Sequence, residues 1–192
     1  RKESLPIFNF GTGELKQLEE DLRDTLLAFR EKYGYGRGIS AVQIGKLKRA
    51  IYIKTEGFEG MLVNPEIVKR SEKMFWTWDS CFSADIAFFV KILRYCSVEV
   101  EYFDWEGKKK ILEAKEDLSE LLQHEIDHLD GKLFIDYLDE EKKLLFMKDV
   151  FEKVDALGSS LTLNAKTNLQ NGQQLLNDAN ILENSVRVFS GL

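Results

Sequence analysis

Two histidines and one glutamate lie within a single short segment of this sequence. His124 and His128 are the only histidines of the chain and are four residues apart, and Glu125 directly follows the first. In a helix, side chains at positions i and i+4 lie one above the other, with Cβ atoms about 5–6 Å apart, so both imidazoles can bind one metal ion. Glu125 then lies beside the ion, where its carboxylate can accept a proton from an activated water molecule. The spacing therefore predicts a hydrolytic metal site on a helix.

A metal ion bound by two imidazoles needs a third protein ligand and an open position for water. The sequence has no third histidine, so cysteine and carboxylate side chains are the remaining donors. Cys81 follows a strand-like aromatic run and can supply a thiolate, whereas Cys96 alternates with valines and is predicted to be a buried strand residue. Downstream carboxylates, the third ligand of some metallopeptidases, are the alternative; these are Glu140, Glu141 and Glu152. The residues by themselves leave this choice open.

A glycine-rich segment at residues 36–43 is the second candidate for chemistry. Its glycine spacing resembles that of phosphate-binding loops, but the Lys-Ser/Thr pair of a P-loop is missing and no strand is predicted before it. Glycine also lets a backbone approach a ligand closely, and Gly36 and Gly38 are placed to do so. Gln43 adds an uncharged amide donor that can stabilise a developing oxyanion. We therefore predict a ligand-binding segment that ends in an oxyanion donor.

Hydrophobic periodicity predicts the elements that position these residues. Apolar residues recur at three- and four-residue steps from Glu14 to Tyr33, which predicts a first helix. Short apolar or alternating runs predict five strands, namely Arg49–Lys54, Met61–Val68, Met74–Trp78, Tyr95–Phe103 and its hairpin partner Lys109–Ala114. The histidines fall on a second predicted helix, Lys115–Leu129, and a third is predicted at Asp139–Val154.

Composition limits the class of protein. The 192 residues carry a net charge of −6 and are 44% hydrophobic, which suits one globular domain and argues against non-specific binding to DNA or to an anionic membrane. The longest apolar run is far shorter than the roughly 20 residues of a membrane span. Two cysteines do not form a disulfide framework, so a reducing compartment is favoured. We expect a cytoplasmic protein, or an organellar one if a transit segment ahead of Arg1 was removed.

The composition also changes along the chain. Beyond Gly158, asparagine and glutamine replace most of the charged residues. We therefore predict a catalytic domain over residues 1–155 and an Asn/Gln-rich C-terminal extension of unknown role over residues 156–192.

Three separate segments resemble the motifs of one family, the peptide deformylases. Gly36–Gln43 is similar to their Gly-x-Gly-hydrophobic-Ala-Ala-x-Gln motif, and Asp79–Ser83 to their Glu-Gly-Cys-Leu-Ser motif. Gln123–Leu129 matches their Gln-His-Glu-x-Asp-His-Leu motif, and the order and separation of the three segments also agree. The resemblance extends from Arg1 to about Leu138. It implies an α+β fold with short antiparallel β-sheets around a central metal-bearing helix.

The resemblance also assigns the metal and its ligands. It implies that Cys81, His124 and His128 hold one divalent metal ion. Ferrous iron is the usual native metal of the family, and zinc or nickel are frequent substitutes. Mixed thiolate and imidazole ligands suit all three ions, so the ligands alone do not choose between them.

The resemblance further implies a reaction, the removal of the formyl group from the N-termini of nascent chains. Glu125 would transfer the proton, while Gln43 and the backbone N–H of Phe82 would stabilise the oxyanion. The N-formyl peptide would lie extended beside Gly38, and formate would be released. Family members can also meet nascent chains at the ribosome through a C-terminal helix, so the predicted helix at Asp139–Val154 is a candidate ribosome contact.

Several substrate-contacting positions depart from the family pattern. Ser80 replaces the usual glycine before the cysteine ligand, and Phe82 adds bulk beside the metal. Bacterial deformylases keep the helical stripe ahead of the histidines apolar to hold a methionine side chain, but here it contains Asp117, Glu120 and Leu121. Either both acids face solvent, or the site disfavours methionine and prefers a polar or basic first side chain.

These departures leave an alternative to efficient deformylation. A deformylase-like protein with altered or lost specificity would keep the fold and the metal but act on another N-acyl amide, or bind peptides without catalysis. A third interpretation, an unrelated metallopeptidase with a carboxylate ligand, would not need Cys81.

Overall fold

The computed structural model describes residues 2–81 and 90–138. Within these ranges it contains two α-helices, seven β-strands and two short 3₁₀ helices. The helices are α1 (Gly13–Tyr33) and α2 (Glu116–Leu129), and the 3₁₀ helices are Ala41–Ile44 and Phe134–Tyr137. The strands are β1 (Gly38–Ser40), β2 (Ala50–Lys54), β3 (Glu59–Arg70), β4 (Met74–Asp79), β5 (Val90–Tyr95), β6 (Ser97–Phe103) and β7 (Lys109–Lys115). An α+β fold is therefore confirmed.

Local signals at both ends determine the length of α1. The Thr12 side chain accepts a hydrogen bond from the backbone N–H of Leu15, which satisfies one of the unpaired donors of the first turn. Gly34 ends the helix in the left-handed conformation, with φ of 80°, which other residues adopt at a cost. One stripe of four leucines is buried, as the periodicity predicts; these are Leu15, Leu18, Leu22 and Leu26.

A five-stranded sheet in the order β1-β2-β3-β6-β7 forms the main layer, and every neighbouring pair is antiparallel. Helix α2 packs against this sheet, and its apolar residues Leu122, Ile126 and Leu129 share a core with residues of the strands, including Ile53 and Val100. Every residue of α2 from Ser119 to Leu129 is buried. The polar side chains of this helix therefore lie inside the protein, where each needs a hydrogen-bond or charge partner.

The strand predicted at Tyr95–Phe103 is wrong in one respect, because the chain bends at Cys96 and forms two strands. The N–H of Cys96 donates to the carbonyl of Lys73, and its carbonyl accepts from the N–H of Glu116, so neither group pairs within a regular ladder. Before the bend, β5 pairs with β4 in a separate two-stranded sheet. Cys96 is accordingly half-buried at a bend and is not the buried strand residue that its alternation with valines predicts.

Two compact units can be distinguished along the chain. Of the described residues, 2–77 and 91–133 belong to one unit, and 78–81, 90 and 134–138 belong to the other. The predicted helix at Asp139–Val154 and the predicted boundary between residues 155 and 156 lie outside the described residues and stay predictions. Neither helix of the described part combines the length and the apolar character that crossing a membrane requires.

Candidate active site

Helix α2 brings the two histidines together. The Nε2 atoms of His124 and His128 are 3.1 Å apart, and the rings meet edge to face with centroids 4.7 Å apart. Both side chains are buried, at 7% and 4% exposure. Two imidazole nitrogens that point at the same small region from adjacent helical turns are the arrangement that the i, i+4 spacing predicts for a shared ion.

The described residues include a group of potential metal ligands that combines these histidines with a thiol. The donor atoms of Cys81, His124 and His128 all lie within 4.8 Å of one another, and all three residues are buried. One sulfur and two imidazole nitrogens form a donor set that suits zinc or iron and leaves a further position for water or substrate. The carboxylates considered as alternative ligands, Glu140, Glu141 and Glu152, lie outside the described residues.

Glu125 is held on one side by Ser40. The Ser40 hydroxyl is 2.6 Å from Oε2 of Glu125 and 2.9 Å from the backbone carbonyl of the same residue, and both residues are buried. A hydroxyl that donates to a buried carboxylate stabilises its charge and fixes its orientation. The sequence pattern gave no sign of this contact between Ser40 and the predicted acid.

Glu125 is also in close contact with Gly38, the first residue of β1. A Cβ atom added to Gly38 would lie 2.8 Å from Oε1 of Glu125 and 3.0 Å from a methyl carbon of Ile53. Glycine is therefore required here by the close approach of strand and helix. The approach of this backbone to a ligand stays a prediction.

Gln43 lies in the 3₁₀ helix that follows β1, and its amide has a defined orientation. Its Oε1 accepts a hydrogen bond of 2.7 Å from the backbone N–H of Ser40. Because the carbonyl oxygen of the amide is turned toward Ser40, the Nε2 group is turned away from that N–H. This hydrogen bond limits the rotation of the amide, and donation from Nε2 to an oxyanion stays a prediction.

Two further side chains of the histidine motif anchor α2 to β5. Arg94 on β5 forms a 2.5 Å ion pair with Asp127, and the two side chains are 1% and 12% exposed. The Gln123 side chain accepts from the backbone N–H of Tyr95 and donates to its carbonyl, each at 3.0 Å. A buried ion pair and a bidentate amide contact fix the helix relative to this strand, and with it the direction of the imidazoles.

Glu120 and Asp117 of the helical stripe have different surroundings. Asp117 is exposed, as the first alternative expects, but the Glu120 side chain is only 7% exposed. Its Oε2 is 2.6 Å from a guanidinium nitrogen of Arg37, an ion pair between residues 83 positions apart that the sequence pattern did not reveal. Leu121 is 5% exposed and packs within the hydrophobic core.

Of the remaining predicted substrate contacts, Ser80 is half-buried and directly follows β4. Phe82 lies outside the described residues. The roles of Ser80, Leu121 and Phe82 in substrate binding stay predictions.

Comparisons with known proteins agree on one family. A model of the polypeptide deformylase family matches residues 1–144. A peptide deformylase from Pelagibacter ubique is 37% identical over 153 residues, covering 77% of this chain and 85% of the relative. A peptide deformylase from Rhizobium meliloti is 35% identical over 136 residues, covering 68% of this chain and 75% of the relative.

Solved structures give the same result. A peptide deformylase from Legionella pneumophila superposes with a TM-score of 0.69 and 32% identity, covering 81% of this chain and 90% of that one. A peptide deformylase from Ehrlichia chaffeensis in complex with actinonin gives a TM-score of 0.67 and 29% identity, covering 79% and 90%.

Proposed function

Because the chain belongs to the polypeptide deformylase family, we propose that it hydrolyses the formyl amide of N-formylated peptides at a metal ion held by Cys81, His124 and His128. It is a metal-dependent hydrolase whose products are formate and a peptide with a free amino terminus. The observation that carries the assignment of the site is the buried thiol and imidazole group, with donor atoms within 4.8 Å of one another.

The donor set fits the metal that the family requires. A thiolate and two neutral imidazoles bind ferrous iron, zinc or nickel, and we infer ferrous iron as the native ion. Bound there, the ion supplies Lewis acidity, which polarises a carbonyl group and lowers the pKa of water.

Glu125 transfers the proton in this proposal. One of its oxygens, Oε2, is hydrogen-bonded to Ser40, so we assign the transfer to Oε1, the atom that faces Gly38. It accepts a proton from the attacking water and delivers it to the nitrogen of the departing amine. Burial of Glu125 excludes bulk water from this carboxylate, and the Ser40 hydroxyl limits its rotation.

Gln43 stabilises the negative charge that develops on the formyl oxygen. Its Oε1 is held by the Ser40 N–H, which limits the rotation of the amide while Nε2 donates to that oxygen. The backbone N–H of Phe82, predicted as a second donor, lies outside the described residues.

The peptide binds along β1. This strand is at the end of the five-stranded sheet and pairs there with β2, so an extended peptide can add to its other side through backbone hydrogen bonds. Gly38 itself has no side chain that could project between the peptide and Glu125.

Ribosome contact and cellular location belong to the proposal as well. The segment at Asp139–Val154, which contains four lysines and five acidic residues, is the candidate ribosome contact. Co-sedimentation with ribosomes tests this contact, and a protein that stays in the supernatant would contradict it.

A cytoplasmic or organellar location follows from the reaction, since nascent formylated chains are made there.

Formate release tests the proposed function. Protein prepared anaerobically with iron is expected to release formate from at least one member of a panel of N-formyl tripeptides. Glu125→Gln is expected to lower this rate by roughly 10²-fold or more, because proton transfer contributes about 10²–10⁴-fold, while metal content stays unchanged. Absence of formate from every peptide with metal-loaded protein, or full activity of Glu125→Gln, would contradict the proposal.

A further inference from the structure

An ion pair lies one helical turn ahead of the histidine ligands. Oε2 of Glu120 is 2.6 Å from Nη2 of Arg37, and Nη1 of Arg37 is 3.3 Å from the backbone carbonyl of Asp117. The Glu120 side chain is 7% exposed, whereas the Arg37 side chain is 46% exposed. The carboxylate of Glu120 is therefore the buried member of the pair, and the guanidinium of Arg37 is the solvent-exposed member.

The position of this pair places it next to the reacting groups. Glu120 and His124 are four residues apart on α2, and a carboxylate oxygen of the first lies within 4.8 Å of a ring nitrogen of the second. Arg37 directly precedes Gly38, which is in close contact with Glu125. The pair thus joins the residue directly before β1 to α2, the helix that carries the proton-transferring acid.

The first side chain of a substrate that reacts beside Glu125 must lie close to this ion pair. In an N-formyl amino acid the Cα atom is only two bonds from the formyl carbon, so the first side chain starts within a few ångströms of the reacting centre. A thioether or hydrocarbon side chain that covered this pair would remove water from the half-exposed guanidinium of Arg37 and offer it no hydrogen-bond acceptor in return. A side chain that ends in a cation can take the place of Arg37 on Glu120, and the displaced guanidinium can remain in water because it is already half-exposed.

Resting on the proposed function, we infer that this site selects N-formyl compounds whose first side chain carries a cationic hydrogen-bond donor, an ammonium or guanidinium group, over methionine. Glu120 recognises that group, and Arg37 occupies the position until the substrate arrives. Acidic first side chains are disfavoured because they would approach the buried carboxylates of Glu120 and Glu125.

The test compares formyl-Lys-Ala-Ser, formyl-Met-Ala-Ser and formyl-Glu-Ala-Ser with iron-loaded full-length protein. We expect kcat/KM to be at least about tenfold higher for the lysine peptide than for the methionine peptide, because a site built around a buried polar group rejects partners that leave it unpaired. The paired substitutions Arg37→Ile and Glu120→Leu are expected to reverse this order. Glu120→Leu alone, which leaves Arg37 in place, is expected to favour the glutamate peptide.

A matched control replaces an ion pair elsewhere on the sheet. Lys69→Ile with Glu99→Leu removes the pair between β3 and β6, whose atoms are 2.5 Å apart, and is expected to leave the lysine-to-methionine ratio unchanged. General damage to the fold would lower the rates for all peptides together, whereas the inference requires the ratio to change.

Binding of the reaction products gives a second readout that does not depend on turnover. Calorimetry with Lys-Ala-Ser and Met-Ala-Ser is expected to show tighter binding of the lysine peptide, and loss of that preference in the double variant. Equal or better use of formyl-Met by the wild-type protein, with equal product binding, would overturn the inference and leave the proposed function intact. If no formyl peptide is hydrolysed, the proposed function fails, and the product-binding comparison still decides the preference.

Discussion

At the scale of single residues, α2 is unusual in burying three carboxylates, and each has a partner from another element. A buried carboxylate that lacks a partner is costly, so such a helix packs stably against the sheet only if the facing elements supply donors. The partners differ in kind: one is a half-exposed guanidinium, one is a hydroxyl and one is a buried guanidinium. The pairs are Arg37–Glu120, Ser40–Glu125 and Arg94–Asp127. Only the pair with a half-exposed partner can exchange that partner for a ligand, which is why substrate selection is assigned to Glu120.

Replacement of the thiol ligand is the first prediction at this scale. Cys81→Ala is expected to reduce the bound metal from about one ion per chain to a small fraction of that, because two imidazoles remain where three protein ligands are needed. Metal analysis of the purified protein measures this directly. Cys96→Ala is the matched control, since that cysteine lies at a bend outside the ligand group, and it should keep its metal. Full metal content in Cys81→Ala would favour the metallopeptidase interpretation.

At the scale of elements, the contact between β1 and α2 determines the geometry of the candidate active site. The strand has three residues, yet it is held by β2 on one side and approaches Glu125 closely enough that only glycine fits at position 38. The 3₁₀ helix that follows places Gln43 back against Ser40. A short strand with such constraints holds the acid and the amide at fixed positions. Among the described strands only β2 pairs with it, and the peptide is proposed to add on the other side.

Gly38→Ala tests this contact. The added methyl would lie 2.8 Å from Oε1 of Glu125, so either the strand or the carboxylate must move. We expect a loss of about 1–3 kcal/mol in the free energy of unfolding, typical of overpacking, and a fall in kcat at saturating peptide. Gly57→Ala is the control because no atom lies within 4 Å of its added Cβ. Equal stability and activity of the two variants would show that β1 does not approach Glu125 closely enough to exclude a side chain at position 38.

At the scale of the whole molecule, the hydrophobic core between α2 and the five-stranded sheet contributes both to stability and to the geometry of the site. The buried face of α2 packs on β2, β3, β6 and β7, so the helix that carries the histidines is also the element that closes the hydrophobic core. The geometry of the site is therefore as rigid as the core itself. We expect substitutions in the core to lower the free energy of unfolding more than they change the rate of hydrolysis.

Leu122→Ala tests the role of α2 in the core. Leu122 is fully buried, and its truncation is expected to lower the free energy of unfolding by about 2–5 kcal/mol through lost burial and the cavity left behind. Denaturant titration measures this change in the free energy of unfolding. Ile111→Ala on β7, where the side chain is 62% exposed, is the comparison and should cost less than about 1 kcal/mol. Similar losses for both variants would mean that α2 does not close the core.

Helix α1, the histidine helix and most of the strands were determined by local sequence. Periodicity, the cap at Thr12 and the glycine at position 34 are local signals, because a helix depends mainly on residues within one or two turns. The i, i+4 histidines and the adjacent glutamate likewise have their relation set by helical pitch, so these residues of the site could be predicted from spacing. The assignment of Cys81 needed the family resemblance as well, since the residues left the third ligand open.

Tertiary structure decided the rest. The bend at Cys96 depends on backbone bonds to Lys73 and Glu116, and the alternation of the strand carries no sign of them. Ser40 reaches Glu125, and Arg37 reaches Glu120, across more than 80 residues of chain. Such contacts depend on the register of β1 on β2 and on how α2 packs against the sheet, and these are set by the core as a whole. For that reason the sequence located the metal chemistry, while the partners that orient the acid and select the substrate emerged only from the folded chain.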